Sequence, residues 1–217
     1  MLAQAVRSLS AYLRQNGTQL DLRSTNITDD DLAGLNDPIF SKVVSVLLTR
    51  TNVGDRGLEY LRNLRVRELD LYLTAVTDKG MQYLRDLPLE RLNLTGTATS
   101  DSGLAHLQSL LLAVLVLRET KVTSAGLGVL RDLPLQYLDL SNTAITDDGL
   151  VHLKGLRELK TLDLSDTAIT DQGLSDVIEI PRLTTVYLAG TRVTAAGLAS
   201  LKAARPEVQV YADRPVR

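Results

Sequence analysis

The chain has 217 residues, a formal net charge of −2 and no cysteine. The balanced charge excludes bulk attraction to nucleic acid or to an anionic membrane. Missing thiols exclude disulfides, thiolate metal sites and a cysteine nucleophile, and no apolar stretch is long enough to span a bilayer.

At the N-terminus, Leu2, Val6, Leu9 and Leu13 recur at steps of four, three and four, which predicts a capping helix within residues 1–17. Arg7 and Arg14 break its apolar pattern, so it makes a poor signal peptide and points to a cytoplasmic protein. From residue 18 to 205 one phrase, L-x-L-x-x-T-x-[VI]-T-D-x-G-L, returns eight times. Its first apolar residues are Leu20, Val46, Leu69, Leu92, Leu115, Leu138, Leu162 and Val186, 26 residues apart at the first step and 23 or 24 thereafter. A fixed period of this size means a solenoid, whose units bury their apolar faces only by stacking.

Within each unit the L-x-L pair reads as a short strand, its leucines inward and the flanking residues outward. A threonine follows in every copy, from Thr25 and Thr51 to Thr167 and Thr191, and a stacked ladder of these hydroxyls is expected to tie each turn to the next. The Thr/Ser-Asp pair after it reads as a helix start, with the hydroxyl as cap and the carboxylate answering the helix dipole. The glycine two residues on, as at Gly80 or Gly126, lets neighbouring backbones approach. Leucines then recur at a three-residue step, as in Leu58/Leu61 and Leu150/Leu153, marking one buried stripe. The long first spacing holds Asn36-Asp37-Pro38 and Phe40, a small insertion on the outer side. Residues 206–217 read as a closing strand, Pro206 to Tyr211, and a polar tail, Asp213-Arg214-Pro215, that blunts the open edge.

The phrase resembles the leucine-rich repeat along the whole chain. "I-T-D-x-G-L" is similar to the cysteine-containing subtype found in F-box proteins and related bacterial proteins, with threonine here at the Cys/Asn position. The resemblance implies an α/β fold: a right-handed solenoid with a parallel sheet on the concave face and short helices on the convex face. It also implies binding of a protein partner, as an adaptor or as a bacterial effector that would be delivered into a host cell. A ubiquitin-ligase adaptor is not supported, since residues 1–17 are too short for an F-box. The alternative is a ligand-sensing repeat domain excised from a larger receptor or enzyme.

Catalysis has little to stand on. His106 and His152 take the same helix position two repeats apart, roughly 10 Å or more, too far to share a metal. With Tyr60, Tyr83 and Val129 they read as a half-buried flank of the helix layer. No enzyme activity, cofactor, metal, nucleic acid or membrane is expected, and the chain is expected to act as a monomer.

Information therefore lies in the outward strand positions, which are not repetitive. Val114, Val116 and Tyr137 fall on adjacent strands, bordered by Arg91 and Arg118, with Tyr72 toward the N-terminal end and Tyr187 and Tyr211 as a second anchor. Tyrosine and arginine are enriched at binding hot spots. Nine strands at about 4.8 Å give a concave face of roughly 600–800 Å², one partner's share of a standard interface.

Overall fold

The computed structural model describes residues 2–213, and the backbone alone at Leu2 and Ala3. Helix α1 (Leu2–Ser10) is shorter than the helical period predicts. Leu13–Arg14 instead form β1, antiparallel to β2 (Gln19–Asp21). Asn16-Gly17 is a strong turn signal: Gln15, Asn16 and Gly17 all have positive φ (51°, 57° and 86°), and the reversal they make outcompetes the helical spacing. The cap still closes the core, since Leu9 is fully buried and Val6 and Leu13 pack against it.

Strands β3 (Ser45–Leu47), β4 (Glu68–Asp70), β5 (Arg91–Asn93), β6 (Val114–Val116), β7 (Tyr137–Asp139), β8 (Thr161–Asp163), β9 (Thr185–Tyr187) and β10 (Gln209–Tyr211) follow. With β2 they form one parallel sheet in sequence order, each central leucine or valine paired with the next. Of the polar tail, Asp213 is exposed, and Arg214 and Pro215 lie outside the described residues.

The outer layer is made of very short helices: α2 (Asp55–Glu59), α3 (Asp78–Met81), α4 (Asp101–Leu104), α5 (Leu174–Ile178) and the longer α6 (Ala195–Ala204). Elsewhere it is 3₁₀, as at Ser124–Leu130 and Asp147–Gly155. The three-residue leucine step explains this, because a 3₁₀ helix has three residues per turn and stacks i and i+3 on one line. Leu127 and Leu130, like Leu150 and Leu153, are fully buried. Each such leucine contributes about 1.5–3 kcal/mol by leaving water. Phe40, in the insertion, is also fully buried; Asp37 accepts the Ile39 N–H at 3.0 Å to hold the turn that sends it inward.

The repeated threonines correct one expectation. Their hydroxyls do not reach the next turn; each donates to the carbonyl of the second strand leucine of its own repeat. Thr120 Oγ1, for example, lies 2.6 Å from Leu117 O, and its N–H donates to the same oxygen at 3.2 Å. The residue before each threonine has positive φ, from 52° at Leu73 to 74° at Gly190. That is the third position of a tight turn that favours glycine, yet it is filled by Ser24, Arg50, Leu73, Glu119, Asn142 and Asp166 as well as by two glycines. The threonine locks a turn whose conformation most of these residues disfavour.

Joining repeat to repeat falls to the aspartate of T-D-x-G-L. Asp78 Oδ1 accepts the Ser100 N–H at 2.7 Å and Oδ2 its hydroxyl at 2.6 Å. Asp55 does the same to Thr77, Asp101 to Thr123, Asp147 to Thr170 and Asp171 to Thr194. The glycine makes room for that carboxylate: a Cβ on Gly103 would lie 2.5 Å from Asp78 Oδ1, and one on Gly126 2.3 Å from Asp101 Oδ1. Its task is to admit the preceding repeat's side chain, with backbone approach secondary. Capping holds too, since Thr77, Ser100, Thr123 and Thr194 accept N–H bonds from the first helical turn.

Candidate functional site

The concave face is three outward columns of strand residues, and the middle column shows how it is built. Its side-chain oxygen accepts the N–H two residues on at Asp21, Asp70, Asn93, Asp139 and Asp163, bending the chain out of the strand. Leu47 and Val116 have no side-chain acceptor, and the Tyr187 hydroxyl sits at the far end of a rigid ring, so none of the three can do this. Those three repeats forgo the hydrogen bond and turn apolar surface outward.

Val114 and Val116 stand on β6, with Tyr137 next to Val114 in the register of β6 and β7. All three are half-buried rather than fully exposed, because the neighbours along and across the sheet cover part of each. The valines close one side of a shallow hollow of about 180 Å³, whose other side is Glu68, Asp70, Arg91 and Asn93. Arg91 reaches back to Glu68 at 3.7 Å, and Arg118 is held by Glu119 at 3.1 Å. Tyr187 and Tyr211 stack with centroids 4.9 Å apart and planes 16° apart, and Tyr211 keeps 47% of its surface exposed. Tyr72 belongs to a different neighbourhood: the Arg50 guanidinium lies 5.6 Å above its ring, in a hollow shared with Asp21, Arg23 and Thr49.

Between Tyr137 and Tyr187 lie Asp139 and Asp163, registered neighbours in the middle column. Asp139 is buried, accepting the Ser141 N–H at 2.8 Å and its hydroxyl at 2.6 Å. Burial raises its carboxyl above the usual range, against the pull of those bonds, and Asp163 adds to the rise. Burial also pushes the Tyr137 phenol up to about 12, helped by the charges of Asp139 and Asp163. Tyr137 is therefore neutral at any physiological pH. A signal for the pair existed in the sequence: carboxylates at the same column position in consecutive repeats must be neighbours in a parallel sheet.

On the outer side, His106 is half-buried and His152 exposed, while Tyr60, Tyr83 and Val129 pack against the core. His152 borders an open cavity of about 590 Å³ lined by Arg131, Asp132, Arg157 and Glu158 together with Leu133, Pro134 and Val151. Among the described residues no group of three or more histidines, cysteines or carboxylates converges as a metal site would require, and no helix is long and apolar enough to cross a membrane.

A family model described as "Leucine Rich repeat" matches residues 133–153 and 156–177. No curated protein matches the chain. Among solved structures it is similar to the internalin InlF of Listeria monocytogenes, at 20% identity and a TM-score of 0.69, over 90% of this chain and 53% of that one. It is also similar to the internalin InlC2 of the same organism, at 25% identity and a TM-score of 0.71, over 98% of this chain and 91% of that one. The chain thus spans about half the length of InlF and nearly all of InlC2. The fold is an internalin-like α/β solenoid of leucine-rich repeats.

Proposed function

We propose that this leucine-rich repeat protein is an interaction module that binds a protein partner through its concave face, centred on Val114, Val116 and Tyr137. Arg91 and Arg118 lie at the border, with Tyr187 and Tyr211 as a second anchor and Tyr72 at the N-terminal flank. The observation that carries this reading is the middle column. Val116 and Tyr187 stand where five other repeats keep a turn-forming Asp or Asn. Forgoing that hydrogen bond while placing apolar surface on a solvent-facing sheet has no structural return, and apolar patches of this kind mark contact surfaces. Repeat folds of this type are typically non-enzymatic binding modules. The T-D-x-G-L resemblance favours an adaptor or bacterial effector role, in the cytoplasm or in a host cell.

The test is the affinity of a purified partner, first captured from native lysate. Tyr137→Ala and Arg118→Ala are each expected to weaken binding by roughly 1–2 kcal/mol, with thermal unfolding unchanged. If both bind normally while Tyr60→Ala or Tyr83→Ala abolishes binding, the helical side is the working face and the assignment fails.

A further inference from the structure

We propose that the C-terminal half of the concave face, strands β6–β9, seats a cationic side chain, an arginine or lysine from a basic segment of the protein partner, between Tyr137 and Tyr187 and against the Asp163 carboxylate. This rests on the reading of the concave face as the binding surface and names the chemistry of what binds there.

Charge separates the two halves of the face. On β2–β5 and the turns that follow them, three carboxylates (Asp21, Glu68, Asp70) meet three guanidiniums (Arg23, Arg50, Arg91). They answer one another: Arg23 lies 2.8 Å from Asp21 and Arg91 3.7 Å from Glu68, while Thr49 donates to Asp70 at 2.8 Å. On β6–β9 and their turns, the carboxylates of Glu119, Asp139 and Asp163 share one cation, Arg118. Arg118 is held by Glu119, and neither Asp139 nor Asp163 is in an ion pair among the described residues. Asp139 is buried and spent on Ser141. Asp163 is half-buried; its Oδ1 accepts the Ser165 N–H at 2.8 Å, and among the described residues no donor meets its Oδ2.

The aromatic groups complete the seat. Tyr187 is the registered neighbour of Asp163 on β9, and Tyr137 stands on β7 near enough to feel the Asp139 and Asp163 charges. Tyr211 stacks behind Tyr187 and widens that wall. A cation over a tyrosine face is attracted by the ring quadrupole, more strongly where water is partly excluded. The N-terminal half already contains this arrangement in finished form, with Arg50 over Tyr72. Tyr137 and Tyr187 have no such cation from their own chain among the described residues, so the matching charge falls to the partner.

The experiment is an NMR titration of the full chain with the peptides Gly-Arg-Gly-Arg-Gly, Gly-Lys-Gly-Lys-Gly and Gly-Glu-Gly-Glu-Gly. The basic peptides are expected to give saturable, salt-sensitive shifts on β7–β9, and the acidic one none. Asp163→Asn preserves the acceptor for Ser165, and Tyr187→Leu preserves an apolar side chain; each should raise the Kd about tenfold. Glu68→Gln should leave it unchanged, because that carboxylate belongs to the charge-balanced half of the face. No saturable binding, equal binding of the acidic peptide, or an equal loss from Glu68→Gln overturns the proposal. If the natural partner depends on Tyr137 but basic peptides do not bind, the cation seat fails and the interaction module stands. If basic peptides bind at Asp163 while the natural partner ignores Tyr137→Ala and Arg118→Ala, the module's working face is wrong and the seat survives.

Discussion

The inter-repeat seam and the concave face are made by the same repeats, yet one is monotonous and the other is not. At the seam, Asp, Gly and Thr or Ser recur because each repeat must fit the one before: the carboxylate of one unit fills the space left by the glycine of the next. The departures follow the same logic. Asp31 stands at the glycine position of the first repeat, where no earlier carboxylate needs admission, and Ala195 replaces the clamp aspartate in the eighth, where the seam ends. On the concave face fewer positions are held: the middle column keeps a turn-forming Asp or Asn in five repeats, while in the first column Glu68, Arg91, Val114 and Tyr137 follow one another on consecutive strands. Positions that face another copy of the repeat are held by the array, and positions that face outward are free to record what the protein meets.

The largest effect should come from filling the seam. In Gly126→Ala the new methyl would sit 2.3 Å from Asp101 Oδ1 and 2.8 Å from its carboxyl carbon, so the clamp on Thr123 must open. Overpacking together with the loss of charge-assisted hydrogen bonds is expected to destabilise the fold by roughly 3 kcal/mol in denaturant unfolding. In an Asp101→Ala background the same substitution should cost much less, since the obstacle is gone. Additive losses in that double-mutant cycle would show that the glycine serves something other than the carboxylate.

How far the fold could be read from the sequence follows from the same contrast. The strand centres from Leu20 to Val186 sit where the period places them, because an apolar pair every 23 to 26 residues has one way to stack. The period of Leu9 and Leu13 predicts a longer N-terminal helix than the chain forms, and only the local turn chemistry of Asn16-Gly17 reveals the hairpin. The seam was half legible. Asp and Gly are visible as constants, but partners 22 or 23 residues apart are joined by three-dimensional stacking and not by any local rule, so the sequence points the carboxylate only to its own helix start. For the candidate site, the column positions of Val114, Tyr137 and Tyr187 were legible from alternation. Their half-buried state and the burial of Asp139 depend on the side chains of neighbouring strands and on Ser141, which no spacing encodes.

A smaller loss is expected from the turn threonine. Thr120→Val keeps the shape and the N–H bond to Leu117 O but removes the hydroxyl that shares this acceptor. Because the carbonyl keeps one donor, the loss should be about 1 kcal/mol, less than for a group left wholly unpaired. It should not depend on the neighbouring repeats. Strong coupling to a substitution at Thr97 or Thr143 in a double-mutant cycle would restore the idea of a ladder between turns.

The smallest effect tests whether the exception at the seam belongs to the structure or to the face it supports. Ser124 stands where the other joints place aspartate; its single oxygen accepts the Thr146 N–H at 3.0 Å and also meets the Thr146 hydroxyl at 3.0 Å, where a carboxylate would use two oxygens. Gly149 still leaves the gap an aspartate would fill, its absent Cβ lying 2.8 Å from Ser124 Oγ. The Thr146 hydroxyl is meanwhile taken by Asp148, whose carboxyl that bond holds below its usual range. Ser124→Asp should therefore gain only roughly 0.5 kcal/mol, one added hydrogen bond offset by a second carboxylate nearby. Combined with Asp148→Ala, which frees the hydroxyl, the gain should grow. Loss of stability in both backgrounds would mean this joint obeys a different rule. The joint carries β6 and β7, and hence Val114, Val116 and Tyr137. A change in partner affinity on Ser124→Asp, with every concave residue intact, would show that the weaker clamp was kept for the binding face; unchanged affinity would leave it as drift at a tolerant seam.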